Sequence, residues 1–153
     1  ENPTNKNLFY NVEYSGLDLT GNRYVLQSEE AYSEIEDQSK VFMTNVNAKI
    51  FLLDGSVIYI NSLNAEYNTL IYNTKFHKEV NMKFLEHHIF CENLNIFFDK
   101  NLIEAFNNLN YKNLDIIMLA DKIEIDLLTK NSKIYNFNDN KVIIKNRNLD
   151  GDN

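Results

Sequence analysis

His87, His88 and Cys91 are the residues of this chain whose types and spacing come nearest to chemistry. A histidine and a cysteine four apart share a zinc ion when a helix puts them on one face. This segment reads instead as a turn entering a strand, and no second pair of ligand types stands elsewhere, so no metal is expected. Cys91 is the only cysteine; it forms no intramolecular disulfide and reads as a small buried hydrophobe on a strand. His77 is isolated on a polar strand face and is expected to be solvated. Glu34, Glu36 and Asp37 crowd one short stretch that reads as a solvated loop. Catalytic carboxylates need a cleft that raises one pKa, and nothing in the sequence marks one. Four glycines in all leave no Gly-rich phosphate loop. Three histidines and scattered serines make no nucleophile-base arrangement. The chain therefore reads as a protein that is not an enzyme, with no catalytic residue and no cofactor.

Charge narrows the partners. A formal net charge of −7 over 153 residues argues against nucleic acid, whose phosphates need a basic face. It argues equally against adhesion to an anionic membrane through a polybasic patch. No apolar run reaches the roughly 18 residues that a spanning helix needs. No signal peptide is visible, and a chain that opens at Glu1-Asn2-Pro3 could have lost a targeting or anchoring segment upstream.

The elements that must position these residues are strands. Period-two alternation dominates: Ile58, Ile60 and Ser62 share one face while Val57, Tyr59 and Asn61 take the other. Leu70, Tyr72, Thr74 and Phe76 oppose Ile71, Asn73, Lys75 and His77 in the same way, and Val80, Met82 and Phe84 alternate with Asn81 and Lys83. Asp54-Gly55 marks a tight hairpin; Lys130-Asn131-Ser132 and Asn138-Asp139-Asn140 are turns by composition. With glycine scarce, asparagine is expected at turn positions that need positive φ. Ile116-Ile117-Met118-Leu119 is apolar on both faces, as in a strand covered on two sides or facing a partner. Ala31–Gln38 and Leu102–Leu109 fit a helix as well as a strand.

The strand pattern also repeats. Ser28, Ser62, Glu92 and Asp121 occupy equivalent places, 34, 30 and 29 residues apart. A fixed period of this length means one supersecondary unit repeated and stacked on a continuous apolar interior. The unit reads as a pair of short strands joined by similar turn chemistry, which makes residues 1–153 a single all-β domain of stacked hairpins.

The segment Ser15-Gly16-Leu17-Asp18-Leu19-Thr20-Gly21-Asn22-Arg23-Tyr24-Val25-Leu26 resembles the opening of the LptC family, the inner-membrane-anchored periplasmic component of lipopolysaccharide transport. The shared features are a Gly-hydrophobic-Asp-x-x-Gly turn and a following strand with an aromatic-x-Leu-x-small pattern, here Tyr24, Leu26 and Ser28. Asp54-Gly55, the alternating strand through Ile60, Ala65-x-Tyr67 and Val80 resemble a later stretch of that family. The resemblance runs from about Leu8 to Ile144 through short, degenerate motifs, so its weight lies in their order and spacing. LptA, a related OstA-like family, carries a Gly-Asn-Val element after a tyrosine. The equivalent places here read Thr44-Asn45-Val46 and Lys78-Glu79-Val80, which favours LptC.

The resemblance implies a twisted antiparallel β-jellyroll of two packed sheets, open along one side as a half-pipe, that holds lipopolysaccharide acyl chains between the sheets. It places Leu26, Val46, Ile50, Ile58, Ile60, Leu70, Tyr72, Phe76, Val80, Met82, Phe84, Phe90, Ile96 and Phe98 in the lipid trough. Jellyrolls of this kind join edge to edge by strand addition. An N-terminal edge at Leu8, Tyr10, Val12 and Tyr14 would then meet the inner-membrane lipopolysaccharide ABC transporter. A C-terminal edge at Val142, Ile143 and Ile144 would meet LptA, and the same edges could pair two copies of this chain. LptC proteins carry an N-terminal transmembrane helix that this sequence lacks, so the expectation is a soluble periplasmic domain cut from an inner-membrane-anchored protein. Two alternatives stand beside it. One is an LptA-like bridge component. The other is a β-sandwich module binding carbohydrate or protein on its outer face, through tyrosines such as Tyr10, Tyr14, Tyr59 and Tyr111.

Overall fold

The computed structural model describes residues 6–137 and 143–146, the latter as a backbone strand. Alternation is realised as eight long strands: β1 (Lys6–Leu17), β2 (Arg23–Glu34), β3 (Lys40–Phe51), β4 (Val57–Asn68), β5 (Thr74–Phe84), β6 (His87–Phe97), β7 (Leu102–Lys112) and β8 (Ile116–Asp126). Two short ones follow, β9 (Ser132–Tyr135) and β10 (Ile143–Asn146). Each strand pairs antiparallel with its sequence neighbour from β1 to β8, and both β9 and β10 pair with β8. Ala31–Glu34 and Leu102–Leu109 are strand, so their helical alternative falls away. The Asp54-Gly55 turn forms as expected, with Gly55 at φ 93°, in the region a side chain disfavours.

The jellyroll's two layers are two halves of one continuous sheet. Every long strand is interrupted near its middle, where the register slips or a rung is skipped: between Tyr10 and Val12, Asn61 and Asn64, His77 and Val80, Phe90 and Asn93, and Phe106 and Leu109. The anchors of the thirty-residue repeat fall on or beside this line. They are therefore creases within long strands and not turns between short ones, which corrects the hairpin-sized unit read from the sequence. Chain direction decides how the bend is made. On β2, β4 and β6 a small side chain takes up a carbonyl that the bend releases: Ser28 Oγ donates to Glu30 O (3.1 Å), Ser62 Oγ to Asn64 O (2.8 Å) and Cys91 Sγ to Asn93 O (3.2 Å). On the odd strands the backbone goes left-handed, at Asn11, Asn45, Lys78, Glu79, Asn107 and Asn108. Asparagine tolerates that region better than other side chains, so it serves positive φ mainly at the crease and less in turns.

The crease also shifts the alternation by one. In β2 the buried residues are Tyr24, Leu26 and Ser28 on one side of it and Ala31 and Ser33 on the other, with Glu29 and Glu30 both exposed between. That slip keeps the apolar face inward in both layers, because a strict period of two would turn one half inside out. The layers close on each other around a buried aromatic group. Tyr24 from the first layer lies 4.7 Å from the Phe98 ring and donates to Thr74 Oγ1 at 2.8 Å, both in the second. Tyr14 packs against Tyr67 with the rings tilted and their centroids 5.0 Å apart. Gly16 lies under Tyr72 so closely that a Cβ there would stand 2.8 Å from the ring.

Candidate functional site: an apolar cavity between the layers

The interior is not filled uniformly along the sheet. Between β1 and the middle of the molecule, Tyr24, Leu26, Ile50, Phe76, Leu94, Ile96 and Ile103 are fully buried against one another. Beyond them, toward β8 and β9, the layers part around a cavity of about 420 Å³. Leu52, Ile58, Met82, Phe84, Ile89, Ile116 and Met118 line it from the first layer, and Ile123, Ile125, Leu127 and Ile134 from the second. A pocket of this size walled mainly by aliphatic side chains is suited to hydrocarbon more than to strongly hydrated ligands.

Polar groups sit at its margins. His87 Nδ1 meets the Tyr111 hydroxyl, which also accepts from Asn113 Nδ2 at 3.1 Å. The imidazole stacks between Phe84 and Tyr111, with centroids at 6.4 and 5.8 Å. At the opposite margin Lys130, in the β8–β9 turn, pairs with Asp54 in the β3–β4 turn and so ties the two layers across the seam. The Lys130 ammonium, followed by donors from Ser56, holds the Asp54 carboxyl well below the usual carboxylate range. The buried groups away from the cavity titrate the other way. Burial pushes the Cys91 thiol up to about 12. Burial, followed by the neighbouring Tyr72 and Tyr14, raises the Tyr67 hydroxyl to about 12. No cluster of three metal-ligand side chains occurs among the described residues.

The residues expected in the trough divide into three groups. Ile58, Met82 and Phe84 line the cavity. Leu26, Val46, Ile50, Ile60, Phe76, Val80, Ile96 and Phe98 face inward but are packed shut, and Tyr72 packs beside them. Leu70 and Phe90 are misplaced by the expectation. Leu70 stands exposed in the β4–β5 turn, because the chain turns back after Asn68 and the alternation read through Phe76 does not exist. Phe90 is on the outer face with His88, since Ile89 and Cys91 take the inner one. The expected trough left out the second-layer wall, Ile123, Ile125, Leu127 and Ile134, and on the first layer Ile116 and Met118, which the doubly apolar run Ile116-Ile117-Met118-Leu119 had signalled.

At the N-terminal edge, Leu8 and Tyr10 are exposed while Val12 and Tyr14 pack against the core. At the other end Ile143 and Ile144 pair with Leu119 and Met118, and Val142 lies outside the described residues. The four tyrosines proposed for an outer binding face do not share one. Tyr59 and Tyr10 are exposed, but Tyr14 packs inward against Tyr67 and Tyr111 borders the cavity.

All-β architecture, antiparallel pairing and an apolar interior make this a β-jellyroll. No protein-family model matches the chain, and comparison with curated proteins finds no match. Among solved structures it is similar to LptH of Pseudomonas aeruginosa, described as the LptA-homologous periplasmic component of the lipopolysaccharide transport device. That likeness covers 92% of this chain and 93% of the other, at 7% identity and a TM-score of 0.37.

Proposed function

We propose that the chain is a non-enzymatic periplasmic carrier that holds lipopolysaccharide acyl chains between its layers and passes lipopolysaccharide along a bridge. The observation that carries this reading is the cavity between the layers, lined mainly by aliphatic side chains, with His87, Tyr111, Asp126, Lys130 and Ser132 as its polar members. Hydrocarbon entering it gains about 0.8 kcal/mol per buried CH₂. The resemblance of the Gly16–Leu26 and Asp54–Val80 motifs to LptC supports the finer assignment. On it, β1 receives from the inner-membrane ABC transporter, the β9–β10 edge hands on to LptA, and the full-length protein is anchored in the inner membrane. Among the described residues, both ends of the sheet have strand edges without a further strand beside them, as such joining needs.

A photocrosslinking residue at Ile58, which lines the cavity, tests the carrier against Tyr59, its outward neighbour. Labelled lipopolysaccharide is expected to crosslink at position 58 and not at 59. Equal labelling at both, or none at either, sinks the carrier reading and leaves a bridge that works through its edges alone.

A further inference from the structure

The turns at one end of the sheet share a feature that the carrier reading does not use. Each carries a leucine at its tip: Leu19 between β1 and β2, Leu53 between β3 and β4, Leu85 between β5 and β6, and Leu114 between β7 and β8. They are 93%, 74%, 70% and 69% exposed, among the highest values of any large apolar residue described. A meander brings alternate connections to the same end, so these leucines form a row with a spacing of two strands, about 10 Å. The turns at the opposite strand ends expose Ile35, Leu70 and Leu128. Because the sheet is doubled over at its crease, the two rows face each other across the seam, where Asp54 meets Lys130 and Gly16 lies under Tyr72. Leu52 and Leu127, one residue from two of the tips, line the cavity that opens there.

We propose that this leucine rim docks the seam onto a zwitterionic lipid surface. Scattered apolar side chains are ordinary on protein surfaces, but here every turn of one row carries one at the same place. Single tips about 10 Å apart cannot form the closely packed centre of a protein interface, whereas fluid hydrocarbon moulds itself around each. Each tip leucine stands beside a carboxylate, Asp18, Asp54, Glu86 or Asp115, so only the leucines enter the hydrocarbon while the acids stay at headgroup depth. In three of the four turns side chains also satisfy backbone donors. Asp18 Oδ1 accepts from Thr20 N and Asn22 N at 2.9 and 2.8 Å, Asp54 Oδ1 from Ser56 N at 2.9 Å, and Asn113 Oδ1 from Asp115 N and Ile116 N at 2.8 and 2.9 Å. The net charge of −7 selects a zwitterionic surface over an anionic one. Docked this way, the seam faces the lipid, and an acyl chain reaches the cavity without crossing water. The inference goes beyond the carrier reading, because surface binding needs no guest.

The test is flotation with phosphatidylcholine vesicles. The wild-type protein is expected to float, and the variant L19N/L53N/L85N/L114N to lose about tenfold or more in partitioning. Unchanged circular dichroism and thermal unfolding show that the variant is folded, and Y59N/L63N, altered at exposed apolar sites away from the rim, should float as wild type does. The inference is overturned if the wild-type protein does not float or if the quadruple variant floats equally well. It is also overturned if binding needs anionic lipid, or if the row instead mediates self-association without flotation. Uptake of a soluble fluorescent acyl probe is measured on the same proteins. Flotation without uptake would remove the carrier reading alone; uptake without flotation would remove the rim alone.

Discussion

At the scale of single residues, a buried hydrogen bond between Tyr24 and Thr74 joins the two layers directly. Thr74 Oγ1 accepts the Tyr24 hydroxyl and donates to Tyr72 O at 3.0 Å, and both residues are fully buried. Thr74→Val leaves a buried hydroxyl without an acceptor and should cost about 1–3 kcal/mol in urea denaturation. Adding Tyr24→Phe should recover part of that loss, because the orphaned donor is then gone as well. Cys91 supplies a second prediction. With its thiol pushed up to about 12 by burial, it should resist thiol reagents at pH 8 until the protein is unfolded. The sign of its linkage follows. A pKa above the unfolded value contributes stability that is complete below about pH 9 and is lost as pH rises toward 12. Cys91→Ala should therefore flatten the decline in melting temperature above pH 9. The buried-hydrophobe reading of Cys91 was available from its place in a strand. The Tyr24–Thr74 contact was not, since a hydrogen bond across 50 residues leaves no mark in either local sequence.

At the scale of elements, the crease distinguishes these strands from simple hairpins. Asn45, mid-strand in β3, has φ 56°. Replacing it by valine forces a β-branched residue into the left-handed region and should cost about 1–2 kcal/mol. Asn45→Gly should be close to neutral, because its exposed bond to Glu29 contributes little. Denaturant titration of the two variants separates backbone strain from side-chain loss. The period of the repeat was legible because small residues recur at the bend of β2, β4 and β6. Its meaning was misread because Ser, Asn and Glu signal a turn as readily as a crease. The deciding sign was two outward residues in succession, as at Glu29-Glu30 and Thr44-Asn45, flanked by alternation whose phase had moved. Strand faces could be read this way, but not the point where a strand stops, which is why Leu70 was placed inside.

For the whole molecule, alternation told which side chains face inward but not which of them meet an opposite partner. Filling depends on the sum of volumes from two layers, and the large rings of Tyr24, Tyr67 and Phe98 close only one end. Ile116→Trp, placed at the open end, should abolish uptake of an acyl probe while circular dichroism is unchanged. The Asp54–Lys130 pair acts on access. Its members are exposed and screened by salt, so Lys130→Ala or high ionic strength should quicken probe entry in stopped-flow fluorescence. Since the Asp54 pKa is lowered, the pair persists from neutral pH down to about the unfolded carboxylate value near 4 and is lost only as pH falls further. Entry should therefore be flat between pH 5 and 8. The crease has a mechanical consequence as well. Each half-strand of about five residues is a lever of roughly 17 Å, so a rotation of about 10° at the fold line moves its tip by about 3 Å. A slight opening of the spine, with every ladder bond kept within its half, widens the slot by most of an acyl chain's thickness.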